Sequence, residues 1–157
     1  IRFHGMGSNP YDMVRIGLNG RLDTIQAAVL LAKLQQFPEE LAARERLARI
    51  YDQRLGNVVT IPARVPGAAS SWAQYTIQVD DRDDVAGRLK DAGVPTAVYY
   101  ARPLHLQTAY RAYGQGAGSL PVSEMLANRV LSLPMHGYMD EATAHRVCDA
   151  VAAAVRG

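Results

Sequence analysis

An apolar run follows a polar, glycine-bracketed turn. Gly17-Leu18-Asn19-Gly20-Arg21-Leu22-Asp23 leads into Thr24-Ile25-Gln26-Ala27-Ala28-Val29-Leu30-Leu31-Ala32-Lys33-Leu34. The pattern predicts a helix from near Thr24 to near Gln36. Asp23 with Gln26 three residues later is a variant of the capping box at its start. A helix apolar on nearly every face is expected to be buried. The module that follows is too small to cover all of those faces, so further partners are expected. A second helix is predicted from Pro38, a residue suited to a first helical turn, to about Leu55. Its Leu41, Ala48, Tyr51 and Leu55 form one stripe, and Arg44, Glu45, Arg46, Arg49 and Asp52 form a solvated face.

From residue 56 the period shortens. Val58 to Ile61 reads as a short β-run. Ala73, Tyr75, Ile77 and Val79 alternate with Gln74, Thr76 and Gln78, the signature of a strand buried on one face. Asp80-Asp81 offers a cap to a helix carrying Val85, Ala86 and Leu89, which Gly93 closes. Thr96 to Tyr100 reads as another strand, and a short helix follows Pro103 as far as Tyr113. A helix from about Pro121 carries Val122, Leu126 and Val130, and Leu131 to Met135 is extended. Asp140 caps a last helix whose apolar face is Ala144, Val147, Cys148, Val151, Ala152 and Val155. Strand, helix and strand in this order predict a small α/β module from about residue 56. Residues 1–20 read as loop, punctuated by Gly5, Gly7, Pro10, Gly17 and Gly20.

Composition narrows the class. A 157-residue chain with 48% hydrophobic residues and a net charge of +2 reads as a globular domain or a little more. No basic run interleaved with aromatics points to nucleic acid. One cysteine, Cys148, excludes a disulfide framework within the chain and fits a reducing compartment. No secretory signal and no apolar run of membrane length is apparent, so a cytoplasmic location is expected. The sequence opens mid-phrase, without an initiator methionine.

Few residues carry recognisable chemistry. An amide and a guanidinium at the mouth of a buried helix, Asn19 and Arg21, suit an anion; equally, Asn19 shapes a turn and Arg21 pairs with a surface carboxylate. Gly114-Gln115-Gly116-Ala117-Gly118 lacks the lysine and the strand-to-helix setting of a phosphate loop. The four histidines are scattered without metal-ligand spacing, and no Gly-x-Ser-x-Gly elbow is present. His105, which its Pro-Leu context predicts to be exposed, is either a pocket residue or structural. His4 has no decided role, His136 fits a turn, and His145 fits a helix surface.

Four separated segments match a known family in order and spacing: "RIGLNGRLDTIQAAVLLAKLQQF", "SWAQYTIQV", "AGVPTAVYYARPLHLQTAY" and "LPVSEMLANRVLSLPMH". With the closing helix they resemble the DegT/DnrJ/EryC1/StrS sugar aminotransferases, which use pyridoxal phosphate. The likeness is nearest to the branch that aminates UDP-linked 3-keto sugars, 3-keto-glucuronates in particular.

The resemblance implies the C-terminal part of a type I, aspartate aminotransferase-like α/β fold. Residues 1–20 would be the tail of the large cofactor domain, 21–55 the connecting helices and 56–157 the small domain. It implies transfer of an amino group, from glutamate, to a UDP- or dTDP-linked keto sugar, in polysaccharide or secondary-metabolite sugar biosynthesis. It implies a homodimer with shared sites, in which Asn19 reaches the neighbour's cofactor phosphate and Arg21 approaches the sugar nucleotide. Tyr99 and Tyr100 align with a pair lining the substrate pocket, where relatives often carry histidine at the first position; His105 approaches the same pocket. Lys33 and Lys90 lie outside any context resembling the Schiff-base segment, so that lysine is expected upstream of Ile1 and the chain alone is expected to be inactive. The other reading is a non-catalytic regulatory or sensory domain of aminotransferase ancestry.

Overall fold

The computed structural model describes residues 4–9 and 11–157. Residues 1–3 and Pro10, the latter read above as loop punctuation, lie outside them. The chain divides into two compact units, Ile1–Pro38 and Glu39–Gly157.

In the first unit the loop folds back on itself. Met6 bridges Met13, His4 N–H donates to Leu18 O at 3.0 Å, and Arg15 N–H donates to Gly5 O at 3.2 Å. Gly5 sits at φ +80°, and a Cβ there would fall 1.8 Å from Arg15 O, so the crossing requires glycine. Helix α1, Thr24–Leu34, starts where the pattern predicts and ends slightly sooner. Asp23 caps it, its carboxylate accepting from Ile25 N and Gln26 N. Although apolar nearly all round, α1 has no buried residue; Ile25 is 74% exposed and Leu31 68%. The described residues leave its apolar faces uncovered.

The second unit is built on an antiparallel pair, β1 (Tyr75–Gln78) and β2 (Val130–Leu133), in register Tyr75↔Leu133 to Gln78↔Val130. Two single bridges widen it, Thr60 on Gln78 and Ala97 on Ser132. The runs at 58–61 and 96–100, expected to be strands, are reduced to these bridges. Pro62 and Pro95 flank them and offer no N–H for a longer ladder.

Helix α2 (Phe37–Leu55) buries Ala43, Leu47, Ala48, Tyr51 and Leu55. Tyr51 meets Tyr75 at 4.9 Å between ring centroids, and its hydroxyl donates to Pro134 O at 2.8 Å. Helix α3 (Arg82–Asp91) packs against α5 (Glu141–Arg156). Asp81 precedes α3 in the left-handed region, φ 48°, and its side chain makes no cap. At the other end Gly93 N–H donates to Lys90 O and Val94 N–H to Leu89 O, a Schellman closure with Gly93 at φ +75°. Asp140 caps α5 by accepting from Thr143 N at 2.6 Å. The buried face of α5 ends in Ala154; Val155, expected there, is exposed. Cys148 lies in this face, and burial pushes its thiol up to about 11, so it stays protonated and inert near neutrality.

The face of α2 read as merely solvated holds a polar cluster. Glu45 accepts from Trp72 Nε1 at 2.7 Å and from Arg64 Nη1 at 2.9 Å. Asp52 accepts from Tyr75 Oη at 2.6 Å and Arg64 Nε at 2.5 Å, and Arg64 stacks over the Trp72 ring at 5.1 Å. These bonds strap residues 64–72 across α2. Desolvation raises the Glu45 pKa, but the hydrogen bonds from Trp72, Arg49 and Arg64 outweigh it and hold the carboxyl below its usual value. Its contribution to stability is therefore present above the unfolded-state pKa and lost as pH falls through the lowered folded value. Acidification through that window is expected to shift the emission of Trp72 to the red, and Glu45→Gln to remove the transition. An unchanged transition in the variant would show that another group governs it.

Candidate active-site cleft

A cleft of about 620 Å³ opens in the second unit between the segment after Ala97 and helix α4, Pro121–Arg129. Its construction begins at the sheet. Ser132 N–H donates to Ala97 O at 2.7 Å and Ala97 N–H to Ser132 O at 3.1 Å, tying the segment to the far edge of β2. The chain then leaves the sheet and exposes Tyr99 and Tyr100, joined by a cis peptide. Their rings meet edge to face at 5.6 Å, and Tyr100 is 74% exposed.

Two short 3₁₀ turns follow, Leu104–Leu106 and Thr108–Tyr113, where one helix was expected. Arg102 Nε donates to Leu106 O at 2.8 Å, and Gln107 Nε2 donates to Arg102 O at 3.2 Å, so local side chains staple the turn. Leu120, Ser123, Leu126 and Ala127 supply the opposite wall.

Helix α4 is fixed at both ends. The buried Arg82 donates from Nη1 to Ala127 O and Val130 O, each at 3.3 Å, satisfying its C-terminal carbonyls. Near the N-terminus Glu124 reaches back to Leu120 N–H at 3.3 Å. Val122, placed on the apolar face by its spacing, is exposed; Ala127 is the buried residue of this helix.

His105 departs from expectation. Its side chain is only 8% exposed, and its Nε2 lies 3.0 Å from Glu124 Oε1. Gly114 lies against its backbone: a Cβ there would sit 3.0 Å from His105 O. Glu124 also accepts from Gly118 N–H, at 2.8 and 2.9 Å to its two oxygens. That backbone hydrogen bond, then the one from His105, holds the Glu124 carboxyl below its ordinary value. The glycine loop is thus a hydrogen-bonded clasp. Glu124 was absent from the sequence reading; a glutamate in the first turn of a proline-started helix, able to reach back to the N-terminal amides, was the available signal.

The structure brings Tyr99, Tyr100 and His105 to this one cleft. Asn19 and Arg21 belong to the other unit and are exposed. There Arg21 Nε donates to Asn19 Oδ1 at 2.8 Å. That bond occupies the one acceptor of the amide and leaves its NH2 and the two Nη groups of Arg21 as donors. The pair is chemically fitted to an anionic group such as a phosphate or carboxylate. Of the other histidines, His145 is exposed beside Arg54, at 3.0 Å, and His136 O accepts from Met139 N–H in a turn. Among the described residues no cluster of His, Cys, Asp and Glu is placed to hold a metal ion, and no helix is long and apolar enough to cross a membrane.

Residues 1–152 match the DegT/DnrJ/EryC1/StrS aminotransferase family. A UDP-2-acetamido-2-deoxy-3-oxo-D-glucuronate aminotransferase of Pseudomonas aeruginosa is 44% identical over 96% of this chain and 41% of its own length. The erythromycin biosynthesis sensory transduction protein EryC1 of Saccharopolyspora erythraea is 41% identical over 83% of this chain and 36% of its own. Among solved structures, a DegT DnrJ EryC1 StrS aminotransferase from Brucella abortus superposes with a TM-score of 0.91 at 48% identity, covering 99% of this chain and 42% of that one. The chain spans about two fifths of the length of the relatives it matches.

Proposed function

Because the chain belongs to the DegT/DnrJ/EryC1/StrS aminotransferase family, we propose that its parent protein transfers an amino group, from glutamate, to a keto sugar carried on UDP or dTDP. The observation that carries this reading is the 44% identity with the UDP-3-oxo-sugar aminotransferase, sustained over 96% of the chain. It favours a UDP-linked 3-keto sugar of the glucuronate type. In this reading residues 1–20 end the large cofactor domain, 21–55 connect, and 56–157 form the small domain. The lysine that anchors the cofactor lies ahead of Ile1. The parent is a homodimer with shared sites, working in the cytoplasm.

Bound pyridoxal phosphate would supply the electron sink that amino transfer requires. The residues of this chain bind and orient. The Asn19 amide would donate to the cofactor phosphate of the partner subunit, and the Arg21 fork would take an anionic group of the sugar nucleotide. Tyr99 and Tyr100 offer ring faces and hydroxyls to the sugar, and His105 offers a ring nitrogen.

With pyridoxal phosphate, the full-length parent is expected to develop a visible cofactor band that glutamate bleaches. Arg21→Ala is expected to raise the KM for the sugar nucleotide about tenfold or more, the usual scale for a lost charge-assisted bond, with the cofactor retained. Absence of both the band and its bleaching would overturn the reading. It would favour the sensory or regulatory alternative, which the name of the EryC1 relative supports.

A further inference from the structure

Beside His105, and outside the residues that line the cleft, a carboxylate contacts three segments of the chain at once. Glu124 accepts from the Nε2 side of His105 at 3.0 Å, from Gly118 N–H at 2.8 and 2.9 Å and from Leu120 N–H at 3.3 Å. These partners come from the first 3₁₀ turn, the glycine loop and the start of α4. A carboxylate, which only accepts, satisfies all three at once. The His105 ring must then present a proton at Nε2, and in the neutral imidazole Nδ1 becomes the acceptor. Gly114 at the back of His105 and the 8% exposure of its side chain leave the ring little freedom to turn.

We propose that Glu124 is a positioning residue for the sugar-binding side of the cleft. It fixes the tautomer of His105 and clasps the 114–118 loop, so that Nδ1 accepts a hydrogen bond from a hydroxyl of the sugar. The sugar class rests on the proposed function; the tautomer and the clasp do not. Glu124 acts through His105, so its removal costs recognition of the sugar rather than the chemistry.

The test uses the full-length parent. Nitrogen-15 NMR of its histidines is expected to show His105 protonated at Nε2 in the wild type and losing that preference in Glu124→Ala. In kinetics, Glu124→Ala is expected to raise the KM for the sugar nucleotide about tenfold while kcat changes less than about twofold. Glu124→Gln, which keeps an accepting oxygen, is expected to recover part of that loss. His105→Gln combined with Glu124→Ala is expected to be no worse than the poorer single variant. A proton at Nδ1 in the wild type, equal falls in kcat and kcat/KM, or additive effects would each overturn the inference. Should Glu124→Ala not fold, the wild-type tautomer and the Glu124→Gln kinetics still decide it. Failure of the proposed function reads out separately, as a wild-type protein whose cofactor band glutamate does not bleach.

Discussion

Mixing two inactive variants of the full-length parent is expected to restore activity. One carries Asn19→Ala; the other lacks the lysine that anchors the cofactor. If Asn19 serves the site of the neighbouring subunit, a mixed dimer has one site with both residues intact and one with neither. Random exchange makes half of the dimers mixed, so about a quarter of the wild-type activity should return from near zero in a two-fold assembly. Cofactor should be kept limiting, because the loss in Asn19→Ala is one of retention. No recovery, with exchange of subunits verified, would place Asn19 and the lysine in the same chain's site or remove Asn19 from the site altogether. The uncovered apolar faces of α1, directly after Asn19 and Arg21, agree with an assembly in which this segment meets further protein.

Leu131→Ala is expected to cost about 2–5 kcal/mol, the range for truncating a leucine in a packed core. Leu131 is fully buried and stands opposite Ile77 across the β1–β2 pair. The same pair carries the bridge from Ser132 to Ala97 that leads to the tyrosines. Loss at this point should loosen the cleft as well as the core. Hydrogen exchange at the β1 and β2 amides of the parent would report it, with protection falling by the corresponding factor. Leu131→Ile, which conserves volume, should cost less than about 1.5 kcal/mol. Unaltered protection in the alanine variant would show that the core closes over the gap or that another element governs its opening.

The parts that local chemistry determines were legible from the sequence. The Asp23 and Asp140 caps, the Gly93 closure and the alternation of Tyr75 and Ile77 each depend on a few adjacent residues. The errors arise where distant residues decide. Thr60 and Ala97 needed partners on β1 and β2 to be strand or bridge, and the neighbouring prolines limited them to one bridge each. Arg82, on which the sequence pattern is silent, is buried against carbonyls more than forty positions away. His105 looked exposed from its Pro-Leu context; the glutamate it meets at 3.0 Å lies 19 residues on. At the cleft, Tyr99 and Tyr100 were singled out only through resemblance to a family, since no spacing in the chain sets them apart.

The single bridge between Ala97 and Ser132 has a consequence for how this scaffold can be altered. The tyrosine pair hangs from the sheet by two backbone hydrogen bonds, and neither ring is part of the buried core. Backbone bonds are indifferent to side-chain identity. Residues 99 and 100 are therefore exchangeable ornaments on a fixed mount: aromatic, imidazole or amide groups can be installed there without repacking α2, α5 or the β-pair. Under the proposed function, selectivity for one sugar over another would be open to change at those two positions at little risk to the architecture beneath them.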